Sequence, residues 1–555
     1  MPAAVPDPNP HPGVSVGAYL LDLLKQHARE ADFPAQVEAS TGKSMSFATL
    51  LELSVRAAEG WRALGLASGS TLAVFCRNSE MLFPAVLGAI LQGVAVSGIV
   101  PTCSEEDLES RLAKLSPDAI LCDSSNADLA ARVGARVAPQ SCFTVATDGD
   151  SGDSTRTLQD VFLAAGAPDV GTYSAADVGD LHDHVAAIYF SSGTTAQPKN
   201  IVISNYGLLT GVLYSNLALR CVRGERLLCT SLMSWVSGLG LLLSCTATAT
   251  TRVCDTFTTP GALLASLRRH QANCWFTAAP LLLMVVEAVR AEAKAEAKEA
   301  QTQAAPCPSL RAVVAGGTTL AAEVEQMAAR VLHCDIQQAY ASTECLTITA
   351  GRKPLRPGSV GKAVPGVRLR IVDVDSGLDI ETPGVPGEFR VHTPAIMKGY
   401  KDRPVASAVS FDEQRYFRTG DFGYRDQDGY VFILGRVKEL LNCNGVKVAP
   451  GEFEAVLRSH PAVAEACVIG RPHATLGDVP AACVVLRPGC SVTEAELKQQ
   501  VAGRLPRLQS SKAGSKGHRG GLLLLFVERI PKTPNGKVAA RDVAALFDDA
   551  LARIH

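Results

Sequence analysis

The residues from Ser191 to Lys199 are suited to holding a polyphosphate. They read Ser191, Ser192, Gly193, Thr194, Thr195, Ala196, Gln197, Pro198 and Lys199. Small residues let backbone N–H groups approach phosphate oxygens, hydroxyls donate further hydrogen bonds, and Lys199 adds a positive charge. A Walker loop carries Gly directly before its Lys and a helix behind it. Here Pro198 precedes Lys199 and an apolar run follows, which predicts a phosphate loop of a different kind.

Further along the chain, two stretches are suited to a nucleotide base and its phosphates. A strand-like run ends in Gly316 and Gly317, which leaves bare backbone for a flat ring. Tyr340 can stack on such a ring. Thr343 can donate a hydrogen bond to a phosphate, and Glu344 can hold Mg²⁺ together with phosphate oxygens. A Thr-Glu pair is common in proteins, so its meaning depends on its order behind the loop.

Two charged residues nearer the carboxy terminus suit the same chemistry. The Asp421 carboxylate, placed just after a Gly, can accept both hydroxyls of a ribose. The alternative, an Asp that caps a turn, is common for Gly-Asp pairs. Lys537 follows a tight Pro-Asn-Gly turn, from which its amine can be delivered into a cleft.

In this order, these motifs resemble those of the adenylate-forming (AMP-binding) superfamily, closest in type to 4-coumarate–CoA ligases and beetle luciferase-like acyl-CoA synthetases. Relatives read Gly-Tyr-Gly-x-Thr-Glu where this chain has alanines at 339 and 341. The resemblance covers roughly residues 19–547. It implies ATP, Mg²⁺ and CoA as cofactors and co-substrates, and a small-molecule carboxylic acid as the partner.

The resemblance also implies a role for each matching residue. Catalytic residues would be Lys199, Thr343, Glu344 and Lys537, with Glu344 as the metal ligand. Nucleotide contacts would come from Ser191, Ser192, Gly193, Thr194, Thr195, Gly316, Gly317, Gln338, Ala339, Tyr340, Asp421, Arg436 and Lys438. The acid-binding pocket would be bordered by Trp235, Ala341 and Ser342, and CoA would be faced by Asn444 and Gly445.

Two residues, Trp235 and Asn444, depart from the family pattern, and a third stretch matches a family signature without a predicted role in the site. Trp235 stands where relatives usually have His beside the acyl carboxylate, and it is either a core aromatic or a wall of the acid pocket. Asn444 stands where relatives often have Lys, which bears on the thioester step. The signature from 397 to 400, Met-Lys-Gly-Tyr, is interpreted as mainly structural.

The remaining pattern predicts the elements that position these residues. Helical periodicity alternates with short apolar runs, such as 71–76, 119–122 and 185–190, which favours an α/β fold. We expect a disordered segment at 1–16, a large domain of mixed or parallel sheets flanked by helices at 17–437, and a small mobile α+β lid at 438–555. Lys438 is the expected hinge, and Asn205 is predicted to cap a helix.

Composition excludes some partners and locations. The 555 residues carry a net charge of −2, which argues against nucleic acid as a partner. The sixteen cysteines are scattered without a Cys-x-x-Cys pair, which favours reduced thiols over disulfides. The run at 83–100 reads as a buried helix and strand rather than a membrane span. With no secretory signal, no Ser-Lys-Leu ending and no carrier-protein module in view, a cytoplasmic location and free CoA are expected.

The sequence therefore predicts an ATP-dependent acid–CoA ligase for a hydrophobic carboxylic acid, aryl or medium- to long-chain acyl. Two alternatives remain open at this point. One is a luciferase-like adenylate-forming oxygenase, and the other is a nucleotide-binding pseudoenzyme.

Overall fold

The computed structural model describes residues 11, 13–138, 142–147, 156–191, 199–255, 259–296, 305–351, 353–443, 446–473, 477–505, 522–531 and 538–552. Over these residues the α-helices are α1 Val16–Glu30, α2 Phe47–Ala63, α3 Leu82–Leu91, α4 Glu105–Leu115, α5 Ala127–Val137, α6 Leu158–Ala164, α7 Asn205–Leu219, α8 Val236–Thr248, α9 Pro260–Arg269, α10 Ala279–Glu296, α11 Ala322–Leu332, α12 Pro404–Val409, α13 Pro450–Arg458, α14 Glu494–Arg504 and α15 Ala540–Ala552. None of the described helices combines the length and the apolar character that crossing a bilayer requires.

The first strands along the chain are β1 Pro34–Glu38, β2 Ser44–Ser46, β3 Thr71–Phe75, β4 Ala95–Gly98, β5 Ala119–Cys122, β6 Phe143–Ala146, β7 Arg156–Thr157, β8 Val185–Phe190, β9 Asn200–Ser204, β10 Arg226–Cys229, β11 Thr251–Cys254, β12 Cys274–Ala278 and β13 Ala312–Gly316. They are followed by β14 Asp335–Ser342, β15 Leu346–Ala350, β16 Lys362–Ala363, β17 Arg368–Val372, β18 Gly387–His392, β19 Gly399–Tyr400, β20 Phe417–Arg425, β21 Val431–Arg436, β22 Leu441–Cys443, β23 Val446–Val448, β24 Val463–His473, β25 Gly477–Leu486 and β26 Leu523–Phe526.

The chain divides into two compact units. The first holds residues 1–320, 324–368 and 391–417, and the second holds 321–323, 369–390 and 418–555. The predicted domain boundary at 437/438 and the predicted disorder of 1–16 stay predictions. Within the described part of the chain, α1 begins at Val16, and the residues on both sides of Lys438 belong to the second unit.

The first unit is built on two sheets. One has the order β16-β15-β14-β13-β12-β10-β11-β1-β2, and its strands from β14 to β1 are parallel. The other has the order β19-β9-β8-β4-β3-β5-β6-β7, with antiparallel pairing only at its β8, β9 and β19 end among the described residues. The parallel strands are buried on both faces, which explains why they read as continuous apolar runs.

The second unit also contains two sheets. Among its described residues, one has the order β17-β18-β20-β21 and the other the order β23-β22-β25-β24, with β26 beside β25. Helix α13 packs on the end of β21, where the backbone of Gly451 lies against the Leu434 carbonyl. Large sheets flanked by helices, followed by a smaller α/β region, confirm the predicted fold class.

Helix starts follow local chemistry. Ser15, Ser46, Ser104 and Ser204 each accept a hydrogen bond from a backbone N–H three residues on, which satisfies a donor that the first helical turn leaves unpaired. The prediction that Asn205 caps α7 is wrong, because Ser204 is the cap. The Asn205 Oδ1 atom instead accepts from the backbone N–H of Val16, 2.8 Å away, and ties α7 to α1.

Candidate active site

The predicted phosphate loop is closed at its base by two hydrogen bonds. Strand β8 ends at Phe190 opposite Asn200, the first residue of β9. One residue further out, the Ser191 N–H donates to the Lys199 carbonyl at 2.8 Å, and the Lys199 N–H donates to Ser191 Oγ at 3.0 Å. Ser192, Gly193, Thr194 and Thr195 lie outside the described residues. The antiparallel hairpin thus fixes both ends of the loop, and β9 continues as a strand instead of a Walker helix.

The Lys199 amine is held over an aromatic ring. Its Nζ atom lies 4.5 Å from the centroid of Tyr400. Strand β19 pairs antiparallel with β9, and Tyr400 stands opposite Ile201. Lys199 and Ile201 are two residues apart and share a face, so the Lys199 side chain is the diagonal neighbour of the Tyr400 ring. A cation over a tyrosine ring is stabilised by about 0.5–1 kcal/mol at exposed sites and by more where water is excluded.

The same tyrosine reaches the predicted metal ligand. The Tyr400 hydroxyl donates to Glu344 Oε1 at 3.3 Å, and the backbone N–H of Met397 donates to the Glu344 carbonyl at 2.7 Å. Burial, together with the nearby Glu344 charge, raises the pKa of Tyr400 to about 12. The hydroxyl therefore stays protonated at neutral pH and remains a donor. The structure brings Lys199 and Glu344 together through one side chain.

Sequence reasoning missed Tyr400, because the signature that contains it was interpreted as mainly structural. An aromatic residue directly after Gly399 was the available signal. Which face its ring would take depends on the pairing of β19 with β9, and these two short strands are almost two hundred residues apart in the chain. No periodicity within either stretch could reveal that pairing.

A turn between β14 and β15 presents the Thr-Glu pair. Ser342 Oγ accepts from the backbone N–H of Cys345 at 3.1 Å, which stabilises the turn, and Leu346 leaves it in a left-handed conformation with φ 54°. Thr343 and Glu344 are half-buried there, whereas Ala341 is exposed. Tyr340, still within β14, is 6 % exposed. The predicted roles of these residues stay predictions, but the turn places Thr343 directly beside Glu344.

The two glycines lie at the carboxyl end of β13. Ala315 pairs with Gln338, so Gly316 follows next to Ala339 on the neighbouring strand. A Cβ atom on Gly316 would lie 3.9 Å from the Ala339 carbonyl oxygen, and Gly317 adopts φ 84°, which favours glycine. Ligands in open parallel sheets bind outside the carboxyl ends of the strands. The predicted base-binding residues are thus neighbours at the expected edge.

The Gln338 side chain is buried, and its amide group is hydrogen-bonded to other residues of the protein interior. It is 2 % exposed, and its amide nitrogen donates to Glu325 Oε2 at 2.8 Å and to the Leu320 carbonyl at 3.1 Å. Its amide oxygen, Oε1, accepts from the Leu320 N–H at 2.7 Å. Any contact of Gln338 with a nucleotide would therefore use the backbone.

Trp235 is not a core residue. Its side chain is 55 % exposed at the amino-terminal cap of α8, whereas its neighbour Met233 is 1 % exposed. The Met233 carbonyl fits closely over Gly98, where an added Cβ would come within 1.6 Å of its oxygen. The core-aromatic interpretation is wrong, because Met233 occupies the interior at this point of the chain and Trp235 is exposed. The pocket-wall interpretation of Trp235 stays a prediction.

In the second unit, Asp421 and Arg436 form an ion pair. They stand opposite each other in β20 and β21, with Arg436 Nε 3.0 Å from Asp421 Oδ1. Arg436 also donates to the Thr419 carbonyl at 3.2 Å. Asp421 is 8 % exposed and lies inside a strand, so the turn-capping interpretation is wrong. A carboxylate has about four lone-pair sites, so one that is paired with an arginine can also accept hydrogen bonds from hydroxyl groups.

The remaining predicted residues are placed only in part. Lys438 is exposed in a short 3₁₀ turn, Val437–Glu439. Asn444, Gly445 and Lys537 lie outside the described residues. Their predicted roles on the CoA side and in catalysis stay predictions.

A large two-sheet unit, a smaller carboxy-terminal region and a loop closed by a lysine define an adenylate-forming fold. Comparison with known families agrees: the AMP-binding enzyme family matches residues 23–401, and the AMP-binding enzyme C-terminal domain matches residues 452–537. The chain belongs to the AMP-binding enzyme family.

Its relatives include 4-coumarate–CoA ligases. 4-Coumarate–CoA ligase 5 of Oryza sativa subsp. japonica is 29 % identical over 541 residues, which cover 94 % of this chain and 93 % of the relative. 4-Coumarate–CoA ligase 3 of Arabidopsis thaliana is 28 % identical, with 93 % and 89 % covered.

Solved structures share the fold. ATP-bound MatB from Rhodopseudomonas palustris matches with a TM-score of 0.77 at 24 % identity over 96 % of this chain and 99 % of the other. A luciferase-like enzyme from the nonluminescent Zophobas morio mealworm matches with a TM-score of 0.67 at 23 % identity, over 78 % of this chain and 98 % of the other.

Proposed function

We propose that this chain is an ATP- and CoA-dependent ligase that activates a hydrophobic carboxylic acid, aryl or medium- to long-chain acyl, as an acyl-adenylate and transfers the acyl group to CoA. Its near full-length similarity to 4-coumarate–CoA ligases supports this activity. The observation that carries the proposal is the chain of contacts from Lys199 through Tyr400 to Glu344. It puts a cation and a carboxylate beside the base of a loop suited to phosphates.

The reaction explains why both charges are needed. A carboxylate is a poor electrophile, and its negative charge repels ATP. In the first step an oxygen of the substrate carboxylate bonds to the α-phosphorus of ATP. The bond between that phosphorus and the oxygen that bridges the α- and β-phosphates breaks, and pyrophosphate leaves. In the second step the CoA thiolate bonds to the acyl carbon and AMP leaves. Charge develops on the departing pyrophosphate, and fixed cations at that position lower the barrier.

Glu344 is suited to binding Mg²⁺, because its side chain offers carboxylate oxygens and its neighbours hold it in place. Its carboxylate is half-buried, is oriented by Tyr400, and stands near the cationic Lys199. Protein sites commonly hold Mg²⁺ through one or two carboxylates together with substrate phosphates. The bound ion would supply neutralisation of polyphosphate charge. Lys199 would contribute a second cation from the loop, and Thr343 would donate to the α-phosphate from the adjoining turn position.

Tyr400 serves as a positioning residue in this proposal. Its ring supports the Lys199 ammonium, and its protonated hydroxyl orients the Glu344 carboxylate. Both functional groups are therefore preorganised before substrate binds, which reduces the reorganisation required during the reaction.

The other predicted residues complete the assignment. We assign the base-binding surface to Gly316, Gly317 and the carboxyl end of β14 with Tyr340. In the second unit, Asp421 is assigned to the ribose hydroxyls and is held in place by Arg436. Lys537 is assigned to the attacking carboxylate and the α-phosphate, as the family resemblance implies.

Pyrophosphate release across a panel of aryl and acyl acids, each with and without CoA, tests the proposal. We expect ATP-dependent release with hydrophobic acids, and formation of the matching acyl-CoA when CoA is present. Silence across the whole panel would contradict the proposal in favour of a nucleotide-binding pseudoenzyme. Light above background with ATP, luciferin and oxygen would contradict it in favour of the oxygenase alternative.

A further inference from the structure

Two cysteines and a glutamate cluster at the amino end of the large sheet, opposite the edge that carries the glycines of β13. Cys221 lies in the connection after α7, Glu225 directly precedes β10, and Cys274 is the first residue of β12. The candidate active site uses none of them. Cys274 is buried, while Cys221 is half-buried.

The three side chains converge closely. The Sγ atoms of Cys221 and Cys274 and a carboxylate oxygen of Glu225 all lie within 4.8 Å of one another. Cys274 Sγ is 4.0 Å from Glu225 Oε2. Zinc–sulfur bonds of about 2.3 Å in tetrahedral geometry place two sulfurs roughly 3.8 Å apart. A shift of well under an ångström per side chain would therefore bring all three onto one ion.

The carboxylate is fixed in its orientation. Arg311 pairs with both oxygens of Glu225, with Nε 2.5 Å from Oε1 and Nη2 2.6 Å from Oε2. The backbone N–H of Val222 also donates to Oε2 at 2.9 Å. Burial acts to raise the pKa of Glu225, but the hydrogen bonds from Arg311 and from the Val222 N–H, together with the Arg311 charge, outweigh burial and lower that pKa. The group is thus an ionised, oriented ligand.

Both thiols carry protons that a metal ion would have to displace. The Cys274 thiol donates to Glu225 Oε2, and the Cys221 thiol donates to the Leu219 carbonyl, 3.9 Å away. The thiolate is the metal ligand, so a soft divalent cation would displace both protons as it binds.

We propose that Cys221, Cys274 and Glu225 form a site for a thiophilic divalent cation, with Zn²⁺ as the best fit. Mixed thiolate and carboxylate ligands suit zinc, which accepts both sulfur and oxygen. Two thiolates and one carboxylate carry three negative charges, and a divalent ion with Arg311 supplies three positive ones. The assembled site would be neutral, which offsets part of the penalty for burying charge.

The site has an entry path. Cys221, Glu225 and Arg311 line an open groove of about 1060 Å³, whose lining also includes His333 and Cys334. An ion can enter from this groove, and its fourth coordination position would face the groove and accept water. The bound ion would link the end of α7 to the start of β12 and so fasten the first unit at the edge remote from Glu344.

Cobalt binding tests this site, because cobalt substitutes for zinc and gives a thiolate-to-metal charge-transfer band. The full chain is reduced with a non-chelating phosphine and titrated with Co²⁺. We expect a saturable band that corresponds to a single ion per chain and disappears on addition of Zn²⁺. Cys221→Ser and Cys274→Ser should each abolish it, and Glu225→Gln should weaken binding by about tenfold or more, since a charged ligand is lost.

The matched control is Cys490→Ser, since Cys490 is exposed and lies outside the cluster. It should retain the band unchanged. A band that survives in Cys221→Ser and Cys274→Ser would overturn the proposal, as would a reduced chain that shows no band. A further readout guards against misfolded variants: X-ray absorption at the zinc edge of the unaltered chain should show two sulfur ligands, and a shell of nitrogen and oxygen alone would contradict the site.

Discussion

At the scale of single residues, the two contacts of Tyr400 can be removed separately: its ring lies beneath Lys199, and its hydroxyl donates to Glu344. Tyr400→Phe keeps a ring beneath Lys199 but removes the donor to Glu344. We expect the magnesium concentration at half-maximal activity to rise about tenfold, since a hydrogen bond to a charged group contributes roughly 1.5–3 kcal/mol. Tyr400→Leu should in addition raise the KM for ATP, because the ring is lost as well. Initial rates of pyrophosphate release against Mg²⁺ and ATP measure both effects.

Tyr424→Phe is the control for this prediction. Tyr424 stacks on Phe432 in the second unit, with ring centroids 4.9 Å apart, so its variant also loses one phenolic hydroxyl. Its magnesium dependence should match that of the unaltered chain. Equal magnesium dependence in Tyr400→Phe and the unaltered chain would remove Tyr400 from the site.

Asp421 allows a second test at this scale, because a ribose contact can be probed by altering the nucleotide. Asp421→Asn should raise the KM for ATP by about tenfold or more, and it should reduce the preference for ATP over 3′-deoxy-ATP, since the charged acceptor for the hydroxyl is gone. Asp379→Asn is matched to it, because Asp379 also pairs with an arginine, Arg370 of β17 in the same sheet, at 2.7 Å. That variant should keep the preference. An unchanged preference in Asp421→Asn would exclude the ribose role.

At the scale of elements, the hairpin of β8 and β9 carries one serine that closes the base of the loop, Ser191, and another that caps a helix, Ser204. Ser191→Ala removes the acceptor for the Lys199 N–H at the base of the loop. We expect a fall of several-fold in kcat/KM for ATP with little change in thermal stability, because the backbone hydrogen bond from Ser191 to Lys199 remains. Steady-state kinetics and thermal unfolding measure the two quantities.

Ser204→Ala, at the other end of β9, should behave in the opposite way. It removes the cap of α7 and should cost about 1 kcal/mol of stability while sparing the ATP kinetics. A large loss of stability in Ser191→Ala, comparable to that of the cap variant, would mean that Ser191 supports the fold instead of the loop.

The same elements show what the sequence could predict. Apolar runs indicated the bounds of β5 and β8 correctly, because strands that are buried on both faces consist of consecutive apolar residues. The helix start after β9 was predicted within one residue, but its cap was assigned to Asn205 instead of Ser204. Both residue types cap helices, and what decides between them is the remote backbone N–H of Val16, which engages the Asn205 side chain.

Side-chain orientation was the part that local pattern could not predict. On sequence alone Trp235 could be a core aromatic or a wall of the acid pocket, and its exposure, beside a buried Met233 that packs against Gly98, excludes the first. Likewise Gln338 directly precedes the family motif and is a predicted nucleotide contact, but its side chain turns toward Glu325. In each case a contact distant in sequence determines the outcome.

At the scale of the whole molecule, the proposed reaction has two half-reactions that require different residues. Lys537, in the carboxy-terminal region, is assigned by resemblance to the first of them. A unit charge about 4 Å from developing charge contributes on the order of 4 kcal/mol at an effective dielectric of about 20, which corresponds to nearly a thousandfold in rate. We therefore expect Lys537→Ala to lose pyrophosphate release almost completely, yet to form acyl-CoA from supplied acyl-adenylate at close to the unaltered rate.

The two half-reactions can be measured on the same preparation. A variant that still converts supplied acyl-adenylate and CoA must be folded, so the second half-reaction serves as the folding control for the first. Asp421→Asn offers the contrast, since a ribose contact serves the adenylate in both steps and its loss should slow both. If Lys537→Ala slowed the two steps equally, the lysine would be a general binding residue and the division of labour between the half-reactions would be wrong. If it slowed only the first, the charge on that lysine acts where the carboxylate meets the α-phosphate.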